Sequence, residues 1–93
     1  MLFVTLTKVH PGKMNEATAR RLEWKYPEGV RVLGEYWLMS SEVSTVAIVE
    51  ADSMVPSLGF MGEWSDLSDI TIIPAFSAEE GLQLVRQRMQ QKQ

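Results

Sequence analysis

The sequence predicts an α+β domain of the ferredoxin-like type: a four-stranded antiparallel sheet with two helices on one face, followed by a C-terminal helix. Three observations predict it. A chain of 93 residues can build one core only, so residues 1–93 form a single domain. Apolar residues alternate between strand-like and helix-like spacing in the order βαββαβα. Right-handed crossovers then place the two internal helices on the same side of the sheet.

The first half of the chain supplies a strand, a helix and a second strand. Residues 2–9 are apolar or Thr without Gly or Pro, which is typical of a strand, and the sequence His-Pro-Gly ends it. Residues 13–26 are rich in helix formers, and Pro27 and Gly29 stop this helix. A second strand follows over 29–39.

The second half repeats the alternation. A polar turn at 40–42 leads into a third strand, 44–51, which predicts a hairpin. A short helix begins at Asp52 or Ser53 and runs to about residue 64. The fourth strand, 67–76, contains a proline that indicates a sheet edge or a bulge. Ser77-Ala-Glu-Glu is a capping box that opens the last helix, so that 78–93 forms a C-terminal helix and a polar tail.

Composition excludes several function classes. A net charge of -3 and a pI near 5.0 argue against nucleic acid and anionic membranes as partners. The chain has no cysteine and one histidine, so we expect neither a metal site nor a cofactor held by such side chains. No stretch approaches the roughly 20 apolar residues of a membrane span. We therefore expect a cytoplasmic protein.

The second strand raises the question of what covers the sheet. As a regular strand it presents Val30 and Val32 on one face and Arg31, Leu33 and Trp37 on the other, so both faces carry apolar side chains. Two helices can cover only one face. The other face measures roughly 400 Å² for four strands, the size at which an apolar patch usually marks an interface. We expect a second copy to cover it in a sheet-to-sheet homodimer.

Several segments also carry a family resemblance. The MLFVTLTKVHPGK opening, LEWKYPEGVRVLGEYWL, IVEAD, the Trp-Ser-Asp-Leu turn and ITIIPAF resemble the dimeric α+β barrel superfamily, and in particular a small family of undefined function within it. The resemblance implies a dimer with a cleft between sheet and helices or inside the barrel. It implies no single reaction, because the superfamily includes cofactor-free monooxygenases, polyketide cyclases, lactone isomerases, haem-degrading enzymes and ligand-binding regulators.

A candidate ligand site follows from the hairpin. A four-residue turn at 39–42 places Arg31 opposite Glu50 and brings Arg31, Glu35, Trp37 and Glu50 to one face. The indole could stack on an organic ligand while the charges orient it. The alternative is a structural Arg31–Glu50 ion pair with Trp37 as interface packing. A turn of three or five residues would separate Arg31 from Glu50.

Two function classes fit these residues. The first is a dimeric module that binds a small organic metabolite without catalysis. The second is a cofactor-independent enzyme of monooxygenase, isomerase or cyclase type, acting on an aromatic or carbonyl-containing molecule, with Glu35, Glu50 or His10 as base. His10 is the candidate whose ordinary pKa lies near neutrality, although a position before Pro-Gly also suits an exposed turn residue.

Overall fold

A computed structural model describes residues 1–91 and confirms the predicted fold class. The predicted tail residues 92 and 93 lie outside the described part. The elements in chain order are β1 (Leu2–Val9), α1 (Met14–Glu23), β2 (Val30–Trp37), β3 (Thr45–Ala51), α2 (Val55–Trp64), β4 (Ser68–Ala75) and α3 (Ala78–Gln91).

The four strands form one antiparallel sheet in the order β2-β3-β1-β4, as a ferredoxin-like fold requires. The two strands of the hairpin lie at one side of the sheet, and β4 forms the opposite edge. Pro74 therefore lies in an edge strand, where a missing N–H breaks no central ladder, as predicted.

Helices α1 and α2 cover one face, which we call the helix face. Its core has two clusters: Phe3 with the buried side of β3, and Ala17 of α1 with Trp64 and Leu67. Helix α1 ends at Glu23, three residues earlier than the pattern predicted. Trp24 already has extended backbone angles, φ -82° and ψ 140°, and its N–H closes the helix on Arg20.

A β-bulge interrupts the hairpin and changes which side chains share a face. Arg31 pairs with Glu50 as predicted, and Val32 pairs with Val49. The predicted four-residue turn was wrong, because the Leu38 N–H donates to the Ser44 carbonyl and five residues, 39–43, form the turn. The pair of Arg31 with Glu50 is kept because the register shifts within β2. The next pairs are shifted by one residue, because Leu33 is an extra residue in β2 and Gly34 stands opposite Ile48.

Because of the bulge, one prediction about the candidate site residues was wrong. Beyond it, Glu35 pairs with Ala47, a buried residue of the helix face, and Trp37 pairs with Thr45 on the same side. Arg31 and Glu50 lie on the opposite face. The expectation that all four side chains share a face was wrong, because a regular alternation was assumed across a strand that contains an extra residue.

The opposite face of the sheet, which we call the open face, carries no helix. Its central rows come from alternate residues of all four strands, namely Val4, Leu6, Gly34, Tyr36, Val46, Ile48, Thr71 and Ile73. Tyr36 lies flat over Gly34, where a Cβ would approach the phenol ring to 2.9 Å. Charged side chains such as Arg31 and Lys8 stand at the ends of the strands. The open face is thus apolar at its centre and charged at its rim.

Helix α3 extends away from this body. Ser77 Oγ accepts the Glu80 N–H at 3.1 Å, which confirms the predicted N-cap. Every residue of α3 except Gly81 is exposed. The molecule accordingly measures 56 × 29 × 18 Å. Of the helices within residues 1–91, none is long and apolar enough to cross a membrane.

Candidate functional site

A cavity of about 250 Å³ lies between the helix face of the sheet and helices α1 and α2. The sheet forms its floor, with the hydroxyls of Thr5, Thr7 and Thr45, and α1 and α2 form its walls. Its larger side chains are Met14, Arg21, Trp24, Tyr26, Glu35, Trp37, Leu38, Met39, Phe60 and Trp64. All three tryptophans of the chain line this one space.

Aromatic rings make up most of the wall. The Trp24 ring lies at the centre of a cluster, 4.7 Å from Tyr26, 5.4 Å from Phe60 and 5.7 Å from Trp64 between ring centroids. Such edge and tilted contacts hold the rings rigidly. The Trp64 Nε1 is buried and has no hydrogen-bond acceptor within residues 1–91. A buried donor without a partner ordinarily costs about 1–3 kcal/mol.

Glu35 is the centre of a polar cluster in the cavity wall. Arg21 donates to it twice, from Nε to Oε2 at 3.1 Å and from Nη2 to Oε1 at 2.8 Å. The Tyr26 hydroxyl donates to Oε1 at 2.7 Å, and the Trp37 indole donates to Oε2 at 2.8 Å. Only 14% of the Glu35 side chain is exposed, against 33% of Arg21. Each carboxylate oxygen therefore accepts two hydrogen bonds.

The cluster fixes the protonation states of its members. Burial opposes the ionised form of Glu35, but the hydrogen bonds from Arg21, Trp37 and Tyr26 outweigh it and lower its pKa from 4.5 to about 2. Burial, followed by the hydrogen bond to Glu35, raises the pKa of Tyr26 above its ordinary 10.0. The hydrogen bond to Glu35 raises the pKa of Arg21. Near neutral pH the pair is an ionised carboxylate and a guanidinium beside a neutral phenol.

Arg21 keeps binding capacity that Glu35 has lost. A guanidinium has five N–H donors. Three are engaged, two by Glu35 and one by the Trp24 carbonyl at 3.1 Å. The other two, one each on Nη1 and Nη2, make no hydrogen bond within residues 1–91. Glu35 already accepts as many hydrogen bonds as a carboxylate has lone-pair sites. Arg21 is therefore the member of the pair that can contact a ligand oxygen, and Glu35 holds it in place.

The structure divides the residues that the sequence singled out. Glu35 and Trp37 meet in the cavity. Arg31 Nη2 donates to Glu50 Oε1 on the open face, and the side chains are 73% and 44% exposed. His10 lies at the end of β1, with its Nε2 3.1 Å from Asp69 Oδ1, and it does not line the cavity.

Sequence reasoning missed Arg21. A signal for it existed: Met14, Ala17 and Arg21 are spaced by three and four residues, so they lie on one side of α1. That side includes the buried Ala17. An arginine in an otherwise apolar row indicates a buried partner, and the partner is supplied by the β2 residue that the bulge redirects.

The donor set suits a planar organic molecule. Aromatic rings and two methionines offer apolar contact surfaces, and a few hydroxyls and one guanidinium offer directed hydrogen bonds. Among the residues that the structure describes, no group of three or more His, Asp or Glu side chains could hold a metal ion.

Comparison with known proteins gives one match. A family model described as "Domain of unknown function (DUF3303)" matches residues 1–89. No curated protein and no solved structure matches the chain.

Proposed function

The chain belongs to the DUF3303 family, and from this premise we propose that it is a homodimeric protein that binds a small organic molecule in the cavity between sheet and helices, without catalysing a reaction. The observation that carries the proposal is the pairing of an aromatic cavity with one guanidinium that has two uncommitted N–H donors. The ligand is an aromatic molecule with a carbonyl or carboxylate group.

The volume of the cavity suits a ligand of one or two rings. A dry apolar cavity of about 150 Å³ holds benzene, and pockets for drug-sized ligands begin at about 300 Å³. The volume of about 250 Å³ lies between them. One ring system can stack among Trp24, Trp37 and Phe60 while its oxygen accepts from Arg21.

The protonation states support binding rather than catalysis. A carboxylate with a pKa of about 2 is a weak base near neutrality. All four of its hydrogen-bond positions are also occupied. His10 and Glu50, the other two acid-base candidates, do not line the cavity. Within residues 1–91 the cavity thus holds a fixed charge pair, and none of the three candidate bases is placed in it to accept a proton.

A cavity-filling variant tests the site. Thr18 lines the cavity from α1 and is half-buried. We expect 2-naphthoate, a two-ring carboxylate, to shift the indole N–H signals of all three tryptophans in nitrogen-15 NMR spectra. Thr18→Phe should weaken this binding at least tenfold, because the new ring occupies the ligand's space. Thr18→Val has the shape of threonine and serves as the control that should still bind.

Two outcomes would contradict the binding proposal. One is the absence of indole shifts with 2-naphthoate and with the smaller 4-hydroxybenzoate. The other is equal binding by Thr18→Phe and the wild type while circular dichroism shows both to be folded.

We propose that the open face is the interface of the homodimer. Its apolar centre and charged rim are the arrangement of a protein interface, and side chains of all four strands form one continuous surface that a second copy could cover about a two-fold axis. Two copies related in this way would bury both open faces and leave both cavities intact on the outer sides.

A charge at the centre of the open face should separate the copies. Ile48 pairs with Val4 and Gly34 in the middle of that face. We expect the wild type to sediment at twice its 10.5 kDa mass, and Ile48→Glu to sediment as a monomer because two carboxylates would be buried together. Leu22→Glu, on an exposed α1 position, is the control that should stay dimeric. A monomeric wild type at micromolar concentration would overturn the dimer.

A further inference from the structure

Two threonine hydroxyls on the floor of the cavity are not used by the fold. Alternation along β1 places Thr5 and Thr7 on the helix face, and Thr45 of β3 is the direct neighbour of Thr7. The Thr5 hydroxyl is engaged, because it donates to the Ala47 carbonyl at 3.4 Å. Thr7 and Thr45 are half-buried and line the cavity, and within residues 1–91 their hydroxyls make no hydrogen bond. These two hydroxyls are therefore available to a ligand.

The two hydroxyls can flank a single ligand oxygen. Thr7 and Thr45 stand opposite each other in the ladder of β1 and β3, and side chains at such positions have Cβ atoms about 4.5–5.5 Å apart. Hydrogen bonds between oxygens are about 2.7–2.8 Å long, so one oxygen lying between the two side chains can bond to both. A threonine hydroxyl both donates and accepts. A ligand hydroxyl, which also does both, matches the pair.

This pair of hydroxyls lies one row along the sheet from the charge pair in the cavity wall. The ladder row of Thr7 and Thr45 continues to Trp37 in β2, and the neighbouring row contains Glu35. Two residues along a strand span about 7 Å. Arg21 is held on Glu35 at 2.8 Å and presents its two uncommitted N–H donors there. The cavity thus offers two polar positions about 7 Å apart along the strands.

The position at the two threonines suits an uncharged group. Among residues 1–91 the charged side chains that line the cavity are Arg21 and Glu35, and they are paired with each other. A carboxylate beside Thr7 and Thr45 would lose its hydration without gaining a cation. A neutral hydroxyl would exchange hydrogen bonds with water for hydrogen bonds with the threonines. The preferred group is therefore a hydroxyl.

We propose that the ligand is an aromatic ring with a carbonyl or carboxylate group at one end and a hydroxyl in the para position, and that Thr7 and Thr45 bind this hydroxyl. The inference rests on the ligand-binding function proposed above and adds the substitution pattern of the ligand. In such a ring the two oxygens lie roughly 6–7 Å apart by standard bond lengths. This separation matches that of the two polar positions. A hydroxyl in the ortho position would lie beside the carboxylate instead, away from the threonines.

A series of substituted benzoates tests the substitution pattern. We expect 4-hydroxybenzoate to bind the wild type at least fivefold more tightly than benzoate or 4-methylbenzoate, as measured by titration of the tryptophan indole N–H signals. 3-Hydroxybenzoate, and terephthalate with its second carboxylate in the para position, should bind no more tightly than benzoate. Equal affinities for 4-hydroxybenzoate and 4-methylbenzoate would overturn this inference and leave the binding of aromatic carboxylates intact.

Matched threonine variants test the two residues. The double variant with Thr7→Val and Thr45→Val keeps the β-branched shape and removes both hydroxyls. We expect it to bind benzoate within twofold of the wild type and to lose the preference for 4-hydroxybenzoate. The double variant with Thr7→Ser and Thr45→Ser keeps both hydroxyls and should retain the preference. Thr71→Val, at an exposed position on the open face, is the control that should also retain it.

The outcomes separate this inference from the proposed function. A double valine variant that is folded by circular dichroism and keeps the wild-type preference would overturn the role of Thr7 and Thr45. If the double variant does not fold, the single variants Thr7→Val and Thr45→Val should each reduce the preference at least twofold, and no reduction in either would overturn the inference. An absence of indole shifts with both 2-naphthoate and 4-hydroxybenzoate would overturn the proposed function, and this inference with it.

Discussion

Replacing Glu35 with Gln should lower the free energy of unfolding by about 2–3 kcal/mol, because it removes the charge that Arg21 faces inside the cavity wall. An amide can accept fewer of the four hydrogen bonds now made, and it leaves the guanidinium only partly paired. About one third of the Arg21 side chain is exposed to water, which reduces the loss of stability. Urea denaturation followed by circular dichroism measures it.

The pH dependence gives an independent reading of the same interaction. The pKa of Glu35 is lowered from 4.5 in the unfolded chain to about 2 in the folded one. A carboxyl with a lowered folded pKa contributes stability that is complete above about pH 4.5 and is lost as the pH falls towards 2. We expect the wild type to lose this contribution over that interval. The Glu35→Gln profile should be flatter by the same amount.

The exposed ion pair on the open face supplies a matched control. Glu50→Gln removes the partner of Arg31, but both side chains have ready access to water in the single chain. We expect a change below about 1 kcal/mol in the monomeric Ile48→Glu background. Equal effects of Glu35→Gln and Glu50→Gln in that background would contradict the role assigned to the Arg21–Glu35 pair.

Phe3→Ala should lower the free energy of unfolding by about 3–5 kcal/mol. Phe3 has 0% exposure and packs against Ala47, Val49 and Ala51 at the centre of the sheet. The total free energy of unfolding of a small domain is only about 5–15 kcal/mol. Because much of the helix face borders the cavity instead of a filled core, we expect most of the variant to be unfolded at 37 °C. The ellipticity at that temperature measures the folded fraction.

Phe76→Ala is the control for ring removal as such. Phe76 is 62% exposed, and its loss should change stability by about 0.5 kcal/mol in the single chain. The comparison again uses the Ile48→Glu background, so that dissociation does not contribute. A folded Phe3→Ala variant with wild-type stability would show that the centre of the core lies elsewhere.

Much of the fold could be predicted from sequence because local patterns determine it. The Thr and Val residues of β1, the helix formers after Lys13 and the Ser77 cap each specify one element, and right-handed crossover sets the strand order. Boundaries were less accurate where a local backbone preference competes with the pattern. The extended conformation of Trp24, three residues before Pro27, ends α1 early.

The site could be predicted only in part because it depends on one irregular residue. Glu35 and Trp37 were recognised as unusual on a strand, but their face depends on whether Leu33 is paired. Gly34 is a signal of the bulge, because an isolated glycine inside a strand often marks one, but it does not identify the extra residue. At the bulge, Gly34 leaves room for the Tyr36 ring on the open face, and Glu35 turns towards Arg21.

The extra residue in β2 also determines how this chain should be aligned with other sequences. Val32 and Gly34 already face adjacent residues of β3, so a chain without Leu33 would form a regular strand with the same side chains in the cavity. A one-residue gap therefore belongs at Leu33. If the gap were placed after Trp37 instead, Glu35 and Trp37 would be aligned with residues whose side chains lie on the other side of the sheet. Residues of the cavity would then be compared with residues of the open face.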